Sequence, residues 1–341
     1  MSNIQNVATR AGVSTMTVSR VLNNSGYVSM DARRRVEAAI AELGYVPNTL
    51  ARSLRSKRTR TLALVLSDIT NPFFTTVARG VEDVANERGF NVILCNTDES
   101  EEKQCRYLIT LLQKRVDGVL LVPARSTPGP VAWVQDRGVP VVVIDRRVPA
   151  ASVDVVRGDS ERGAYSLVKL LIELGHKRIA VLSGPEGVST AADRVAGYRR
   201  AMAEAGLCCD GTLIRHDAFS QASGYRMAQQ MLQLSPRPTA LFAANNFIAI
   251  GAYKAVQDAA VRIPDDMTVV TFDEIPVSFV LDPFLTVAAQ PAYDMGKQAT
   301  ELLLERLSGE ATDGYREIVL PIEIIVRRSS GPPPETAGLA R

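Results

Sequence analysis

Five apolar runs of the sequence end in a polar side chain whose amide or carboxylate can hydrogen-bond a small ligand. These side chains are Asp68, Asn96, Asp145, Asn245 and Asp273, at the ends of the runs 62–68, 91–96, 140–145, 240–245 and 267–273. The carboxyl ends of parallel strands lie at one edge of a sheet, where open α/β proteins bind ligands. We therefore expect these side chains to converge on a polar ligand site.

A second stretch, VSTMTVSRVLNN at 13–24, carries short hydroxyl side chains where a surface helix usually carries Glu, Lys and Gln. Short side chains let a helix approach DNA closely, and hydroxyls hydrogen-bond phosphate oxygens. Arg20 is the long cation of this stretch and can pair with a guanine, while Met16 can contact a thymine methyl group. The stretch predicts a DNA-reading helix; the alternative is a three-helix bundle with a solvated face.

Catalytic motifs are absent from the sequence. It contains no GxGxxG, GxxxxGK[ST], GxSxG or HExxH, and its two histidines, His176 and His216, are expected to be structural. The four cysteines have no CxxC spacing, so we expect reduced thiols without a disulfide framework or a zinc site. We predict a protein that is not an enzyme and has no cofactor or metal.

Charge is distributed unevenly along the 341 residues, although the formal net charge is only +2. Residues 1–60 hold ten Lys and Arg against three acidic residues, whereas the remainder holds 29 against 34. A basic head on a mildly acidic body is typical of a polyanion-binding module joined to a second function. Because no signal-peptide core and no run of 18 apolar residues is present, we expect a cytoplasmic protein without membrane contact.

Three helical patterns fit the head. Apolar residues at helical spacing predict a first helix over 4–11, Gly12 ends it, and Ser14 is placed to cap a second helix over 15–23. Ser29 is expected to cap a third helix that ends at Gly44. Two helices joined by a glycine turn and braced by a third form the helix-turn-helix, whose second helix enters the major groove.

The body alternates apolar runs with segments of helical period. The runs lie at 62–68, 91–96, 118–124, 140–145, 178–184, 240–245 and 267–273. Continuous apolar strands alternating with helices indicate parallel sheets covered on both faces. The expected fold class is therefore α/β, with doubly wound parallel sheets behind a helical head.

The stretch NVATRAGVSTMTVSRVLNN and the later VEAAIAELGYVPNTLARSLRSKRT resemble the DNA-binding head of the LacI/GalR family of bacterial repressors. One departure is MDAR, where Ala32 stands in place of the Thr common in the family. The resemblance implies a helix-turn-helix domain over 1–46 and a hinge over 47–60. The predicted base contacts are Thr15, Met16, Arg20 and Leu54, and the predicted phosphate contacts are Ser14, Thr17, Ser19, Asn23, Ser29 and Asn48.

The hinge follows Pro47, which bars continuation of the third helix, and Asn48 can cap a short helix over about 48–55. The segment has too few apolar residues to stay folded alone. The resemblance implies that it folds into a hinge helix on DNA and that Leu54 wedges into a central minor-groove step. The alternative is a flexible basic linker.

The body resembles the periplasmic sugar-binding proteins and the matching core of the LacI/GalR regulators, over essentially its full length. The resemblance implies two lobes around a cleft, with crossings near 159, 290 and 321. These give an N-lobe of about 61–158 and 291–321, and a C-lobe of about 159–290 and 322–330. The motifs NPFF, IDR, R..G, DAFS, AANN, TFDE and AAQP match the sugar-site positions of the ribose-binding type. The implied effector contacts are Asn71, Phe73, Phe74, Asp145, Arg146, Arg194, Phe219, Asn245, Asp273 and Gln290.

This set suits a small pyranose, since aromatic rings cover C–H faces and charged or amide groups bind hydroxyls. Purine-sensing family members carry an Arg where this chain has Val188, which counts against a nucleobase. Asn246 stands where many members have Asp, which removes a charge beside the site. A hexose, a sugar acid or a phosphorylated metabolite, acting as inducer or co-repressor, stays open. The other alternative that stays open is a sugar-binding protein that does not bind DNA.

The tail GPPPETAGLAR at 331–341 is rich in proline and is expected to be disordered. It lacks the leucine heptads of a tetramer zipper, so we expect a homodimer. The sequence therefore predicts a ligand-responsive repressor that binds double-stranded, pseudo-palindromic operator DNA. It would be cytoplasmic, nucleoid-associated when bound to DNA, and controlled by a small, ribose-like sugar.

Overall fold

The computed structural model describes residues 3–46, 58–275, 282–310 and 314–334. The chain divides into two compact units, Met1–Thr59 and Arg60–Arg341. Most of the predicted hinge, including Asn48 and Leu54, lies outside the described residues, so the hinge helix stays a prediction.

The first unit contains the helices α1 (Ile4–Ala11), α2 (Thr15–Leu22) and α3 (Met30–Leu43). The hydroxyls of Ser14 and Ser29 cap α2 and α3, and Gly12 ends α1 with a left-handed φ of 61° that permits the tight turn. The apolar faces of the three helices meet in a core that includes Val7, Val18 and Val36. The three-helix head predicted from the sequence is confirmed.

The second unit begins with a six-stranded sheet that forms the N-lobe. Its strands are β1 (Thr61–Leu66), β2 (Asn91–Asn96), β3 (Gly118–Leu121), β4 (Val141–Ile144), β5 (Asp154–Gly158) and β11 (Glu317–Leu320). Their order across the sheet is β11-β5-β4-β3-β1-β2, and every neighbouring pair is parallel.

The C-lobe repeats this arrangement in a second six-stranded sheet. Its strands are β6 (Ile179–Ser183), β7 (Ile214–His216), β8 (Ala240–Ala243), β9 (Thr268–Phe272), β10 (Thr286–Ala289) and β12 (Glu323–Ile325). The order is β12-β10-β9-β8-β6-β7. All pairs are parallel except β10 with β12, so the expected parallel sheet carries one antiparallel edge strand.

Helices cover both faces of each sheet, except at the edge strand β2, where Ile93 and Leu94 are exposed. In the N-lobe these are α4 (Pro72–Glu87), α5 (Glu101–Gln113), α6 (Gly129–Gln135) and α11 (Ala292–Ser308). In the C-lobe they are α7 (Ser160–Glu173), α8 (Ser189–Glu204), α9 (Gln221–Leu232) and α10 (Asn246–Asp258), with a 3₁₀ turn at Gly211–Leu213. Four buried apolar clusters, one on each sheet face, form the cores, and the predicted α/β class is confirmed.

The chain passes between the two lobes three times. It enters the C-lobe between β5 and α7, returns between β10 and α11, and crosses again between β11 and β12. Three crossings keep the two sheets side by side, so that their carboxyl edges can face a shared cleft.

The ordered C-lobe extends into the segment predicted to be a disordered tail. The carbonyl oxygen of Gly331 lies 2.9 Å from Nε2 of the buried His176 and accepts a hydrogen bond from the Thr268 hydroxyl at 3.1 Å. Its amide donates back to that hydroxyl at 3.0 Å. The tail therefore does not begin at residue 331, because backbone hydrogen bonds that the composition does not reveal anchor it to β9. Residues 335–341 lie outside the described part.

Candidate functional site

A cavity between the two lobes is lined by twelve residues from both of them. The N-lobe contributes Asp68, Asn71, Phe73, Phe74, Glu99, Asp145 and Arg146, and the C-lobe contributes Thr190, Arg194, Phe219, Asn245 and Asp273. Nine of the ten predicted effector contacts line this cavity, and Gln290 does not. Asn96 also stays outside the lining, because its side chain bonds the backbone of Ile69 and the carboxylate of Asp98 in the loop after β2.

Asp145 and Asp273 occupy equivalent positions in the two lobes, each directly after a strand. Both adopt a left-handed backbone conformation, with φ of 68° and 69°. Asp and Asn tolerate this conformation better than most other residues do. Both side chains are buried, so the turn after each strand places one carboxylate from each lobe in the cavity.

Arg194 is the cation of the C-lobe side. Its guanidinium lies over the Phe272 ring at 3.8 Å from the ring centroid and donates to the carbonyl of Ala244 at 2.5 Å. The Asp273 carboxylate lies 3.6 Å away, and both charged groups are about 95% buried or more. Pairing offsets the cost of burying the two charges, which alone would be large.

Gln290 supports this pair from outside the cavity. Its amide Nε2 donates to the Asp273 carboxylate at 2.7 Å. A side chain on Gly158 would clash with Gln290, since a Cβ there would lie 2.2 Å from its Oε1. Gln290 therefore positions Asp273 through its amide nitrogen, while its Oε1 is buried without a hydrogen-bond partner, and its contact with the effector stays a prediction.

Arg146 is the cation of the N-lobe side, and its main partner is a residue that the sequence did not indicate. Its guanidinium donates to both carboxylate oxygens of Glu99, at 2.6 and 2.5 Å, and to the carbonyl of Pro123 at 2.7 Å. Glu99 lies in the polar run DESEE after β2, where composition does not distinguish it from its acidic neighbours.

Asn71 and Asn246 join the two lobes through a reciprocal pair of amide hydrogen bonds. Each side chain donates to the other across the cleft, at 3.0 and 2.9 Å, and both are buried. An Asp at 246 could accept but not donate in this pair. Asn246, which stands where the resemblance leads us to expect Asp, therefore donates a hydrogen bond that an ionised Asp could not donate.

A second set of contacts joins the lobes beside the cavity. The Arg147 side chain pairs with Asp193, and its backbone amide donates to the Ser189 hydroxyl at 2.8 Å. The Ser189 amide in turn donates to the hydroxyl of Ser126 at 2.9 Å. These contacts, with the Asn71–Asn246 pair, join the two lobes.

Buried polar atoms without a hydrogen-bond partner indicate the chemistry of a ligand. Among the described residues, they include Asp145 Oδ1, Arg146 Nε and Arg194 Nε, which belong to side chains that line the cavity. Phe73, Phe74 and Phe219 add aromatic surface to the same lining. One acceptor, two donors and aromatic rings suit a compact molecule with several hydroxyls and exposed C–H faces.

Within the residues that the structure describes, no group of three or more His, Cys, Asp or Glu is arranged to hold a metal ion. Two of the four carboxylates that line the cavity, Glu99 and Asp273, are paired with guanidinium groups.

The pH dependence of stability reports on Asp145. Burial raises the pKa of this carboxyl to about 6, against the opposing effects of Arg194 and Arg146, from an ordinary value of 3.8. The Asp145 carboxyl therefore binds its proton more tightly in the folded state than in the unfolded state. The stabilisation that this proton provides is lost as the pH rises from about 4 through about 6. We expect the free energy of unfolding of the wild type, relative to Asp145→Asn, to fall by about 2 kcal/mol between pH 4 and pH 7.

Urea unfolding of both proteins at four pH values in this range checks the expectation. Asparagine keeps the shape and tolerates the left-handed backbone but does not titrate. A difference between the two proteins that stays constant with pH would show that the carboxyl keeps its ordinary pKa.

In the head, α2 exposes the three described residues predicted to read bases, Thr15, Met16 and Arg20. Met16 is 61% exposed, so its side chain does not pack in the core of the head. The predicted phosphate contacts also organise the helices. The Ser14 hydroxyl accepts from Thr17 N at 3.1 Å, Ser29 accepts from Ala32 N at 3.3 Å, and Asn23 donates to the Ser19 carbonyl at 2.7 Å.

Known protein families match both units. Residues 3–48 match the family described as bacterial regulatory proteins, lacI family, and residues 59–327 match periplasmic binding proteins and the sugar binding domain of the LacI family. The chain belongs to the LacI family. Among the described residues of this LacI-family protein, no helix is both long and apolar enough to cross a membrane.

Curated relatives cover nearly the whole chain. The ribose operon repressor of Halalkalibacterium halodurans is 38% identical over 330 residues, which is 97% of both chains. DegA of Bacillus subtilis, an HTH-type transcriptional regulator, is 36% identical over 97% of this chain and 98% of its own. PurR of Vibrio atlanticus, an HTH-type transcriptional repressor, is 38% identical over 90% and 92%. Because these relatives are regulators, the prediction of a regulator rather than an enzyme is confirmed.

Two solved structures share the fold. The lac repressor dimer bound to operator and the anti-inducer ONPF is 27% identical, with a TM-score of 0.85 over 97% of this chain and 99% of its own. A LacI family regulator from Enterococcus faecium with bound ribose is 30% identical, with a TM-score of 0.71 over 80% and 99%.

Proposed function

We propose that this LacI-family protein is a homodimeric repressor whose affinity for a two-fold symmetric operator changes when a small sugar binds between the lobes. The observation that carries the proposal is the cavity itself. It combines paired buried charges, unpartnered donors and acceptors, and aromatic rings. Buried polar groups of this kind bind a polyhydroxyl ligand and reject one that leaves them unpaired.

A ribose-like pentose is the sugar that we favour. The relative named a ribose operon repressor and the Enterococcus faecium regulator with bound ribose support this choice. At the position where the resemblance associates an Arg with purine sensing, this chain has the buried Val188, which has no group for a nucleobase.

Operator binding is assigned to the head, with Arg20, Thr15 and Met16 of α2 on base edges. Ser14, Thr17, Ser19, Asn23 and Ser29 would contact phosphates, and Asn48 and Leu54 would act in the hinge. Two heads in a dimer would occupy the half-sites of a pseudo-palindrome. Such a regulator acts in the cytoplasm, on the nucleoid when it is bound to DNA.

Coupling between the sites requires only that the sugar prefer one arrangement of the lobes. The contacts that join the lobes, Asn71 with Asn246 and Arg147 with Asp193, belong to one such arrangement. A preference of about 3 kcal/mol would change operator affinity on the order of 100-fold. We expect the sugar to act as an inducer that lowers operator affinity; an increase would make it a co-repressor.

Calorimetric titration of the full-length protein with D-ribose, other pentoses, hexoses and sugar acids tests the proposed effector. We expect D-ribose to bind in the micromolar range and to weaken operator binding, measured by fluorescence anisotropy, on the order of 100-fold. If another sugar binds and D-ribose does not, the assignment of ribose as the effector is wrong, but the proposal of a sugar-responsive regulator is retained. A saturating sugar that leaves operator affinity unchanged would contradict the coupling.

A further inference from the structure

The cavity carries more negative than positive charge. Its lining includes four carboxylates, Asp68, Glu99, Asp145 and Asp273, against the two guanidinium groups of Arg146 and Arg194. Because a closed cleft screens charges weakly, this imbalance acts directly on whatever enters it.

Each guanidinium already faces a carboxylate of the protein, so an anionic ligand would not find an uncompensated positive charge. Glu99 occupies both terminal nitrogens of Arg146 in a bidentate pair, which is the geometry in which arginine also binds a ligand's carboxylate or phosphate. Arg194 is neutralised by Asp273 and held against the Phe272 ring. An anion that paired with Arg146 in this bidentate geometry would have to displace Glu99.

The loop after β2 is built to present Glu99. Glu99 and the preceding Asp98 both have left-handed backbones, with φ of 58° and 50°, a conformation that non-glycine residues adopt only when their surroundings impose it. Asp98 pairs with Lys103 and accepts from Asn96, and the Glu99 amide donates to the Ser67 carbonyl at 3.3 Å. Asp98 turns away to these loop partners, whereas Glu99 lines the cavity.

We infer that Glu99 determines effector specificity by charge: it occupies Arg146 and makes the cleft select uncharged sugars against sugar acids and sugar phosphates. The inference rests on the proposed function of the cleft as a sugar site and narrows its ligand class. Without Glu99, Arg146 would be available to bind an anionic group of the ligand. Glu99 occupies that position with a carboxylate of the protein itself.

The test compares sugars that differ only in charge, titrated by calorimetry into the full-length protein. The probes are D-ribose with D-ribonate and D-ribose 5-phosphate, and D-glucose with D-gluconate and D-glucose 6-phosphate. We expect whichever neutral sugar binds to do so at least about 100-fold more tightly than its charged derivatives, because the added negative charge faces an already negative cleft.

The variant Glu99→Gln removes the charge and keeps the size of the side chain. It should reduce the ratio of neutral-sugar to charged-sugar affinity by about 10-fold or more, because both terminal nitrogens of Arg146 then lack a carboxylate and only Asp145, 3.9 Å from its Nε, remains as an ionised neighbour. Asp98→Asn is the matched control, since it removes the same charge from the same loop outside the cavity lining, and should leave the ratio within about twofold. Glu99→Asp, which retains the charge, should preserve the discrimination if Glu99→Gln does not fold.

The outcomes separate this inference from the function on which it rests. If the wild type binds a sugar acid or sugar phosphate more tightly than its neutral parent, the inference that the cleft selects uncharged sugars is wrong. The proposed sugar-sensing function is then retained. If Glu99→Gln folds and keeps the wild-type ratio, Glu99 is not the determinant. If no probe of either charge binds while operator binding is intact, the sugar-sensing function itself fails, and this inference fails with it.

Discussion

Replacing Asp273 with asparagine is expected to weaken sugar binding by about 100-fold and to abolish the operator response, while operator affinity without sugar stays at the wild-type level. The carboxylate pairs with Arg194 at 3.6 Å and accepts from Gln290 at 2.7 Å. The neutral amide leaves the buried guanidinium without its counter-charge and weakens the hydrogen bonds available to a sugar hydroxyl. Because residue 273 has a left-handed φ of 69°, asparagine is a better test than alanine.

Calorimetry and operator anisotropy, with and without sugar, measure the two effects. Asp258→Asn is a suitable control, since it removes a carboxylate from the exposed face of α10, where Asp258 lies 3.6 Å from Lys254. Induction that survives in Asp273→Asn would remove this residue from the effector site. Loss of operator binding together with the response would indicate damage to the fold rather than to the site, and thermal unfolding of the variant would reveal it.

Arg20→Ala is expected to reduce specific operator binding by about 10- to 100-fold, with a smaller loss on random DNA. Arg20 is exposed on α2, and a guanidinium that pairs with a base edge contributes to specificity as well as to charge. Fluorescence anisotropy on operator and random duplexes over a range of salt concentrations separates the two contributions, because phosphate contacts alone set the salt dependence of non-specific binding.

The control for this experiment is Arg10→Ala, in the same three-helix head. It removes one positive charge from α1, where Arg10 is paired with Glu42 at 2.7 Å, and it should affect both duplexes alike. Equal losses on operator and random DNA for Arg20→Ala would refute the assignment of Arg20 as a base-reading residue.

Much of this architecture is encoded by local patterns. The head helices follow from apolar spacing, the hydroxyl caps at Ser14 and Ser29, and the glycine at position 12, each of which acts within a few residues. Seven of the twelve described strands follow from continuous apolar runs, which are typical of a sheet covered on both faces. The positions of Asp145 and Asp273 could be predicted in the same way, because the carboxyl ends of parallel strands lie at one edge of a sheet.

What escaped prediction depends on contacts between segments distant in the chain. Glu99 is separated by 47 residues from Arg146, and Asn71 by 175 residues from Asn246. The hydrogen bond from Gln290 to Asp273 also joins two segments, 17 residues apart, that no local pattern links. Gly331 was assigned to a disordered tail, yet it is held by hydrogen bonds to His176 and Thr268.

The sequence by itself determined the helices of the head, the strands that coincide with apolar runs, the basic head and the residue types of the cleft, because these depend on periodicity, capping and composition. Only the tertiary structure decided which charges are paired, which amides join the two lobes, and which polar atoms remain for a ligand. Those outcomes depend on loop backbones and on the side chains that the opposite lobe supplies, neither of which is a property of any one segment.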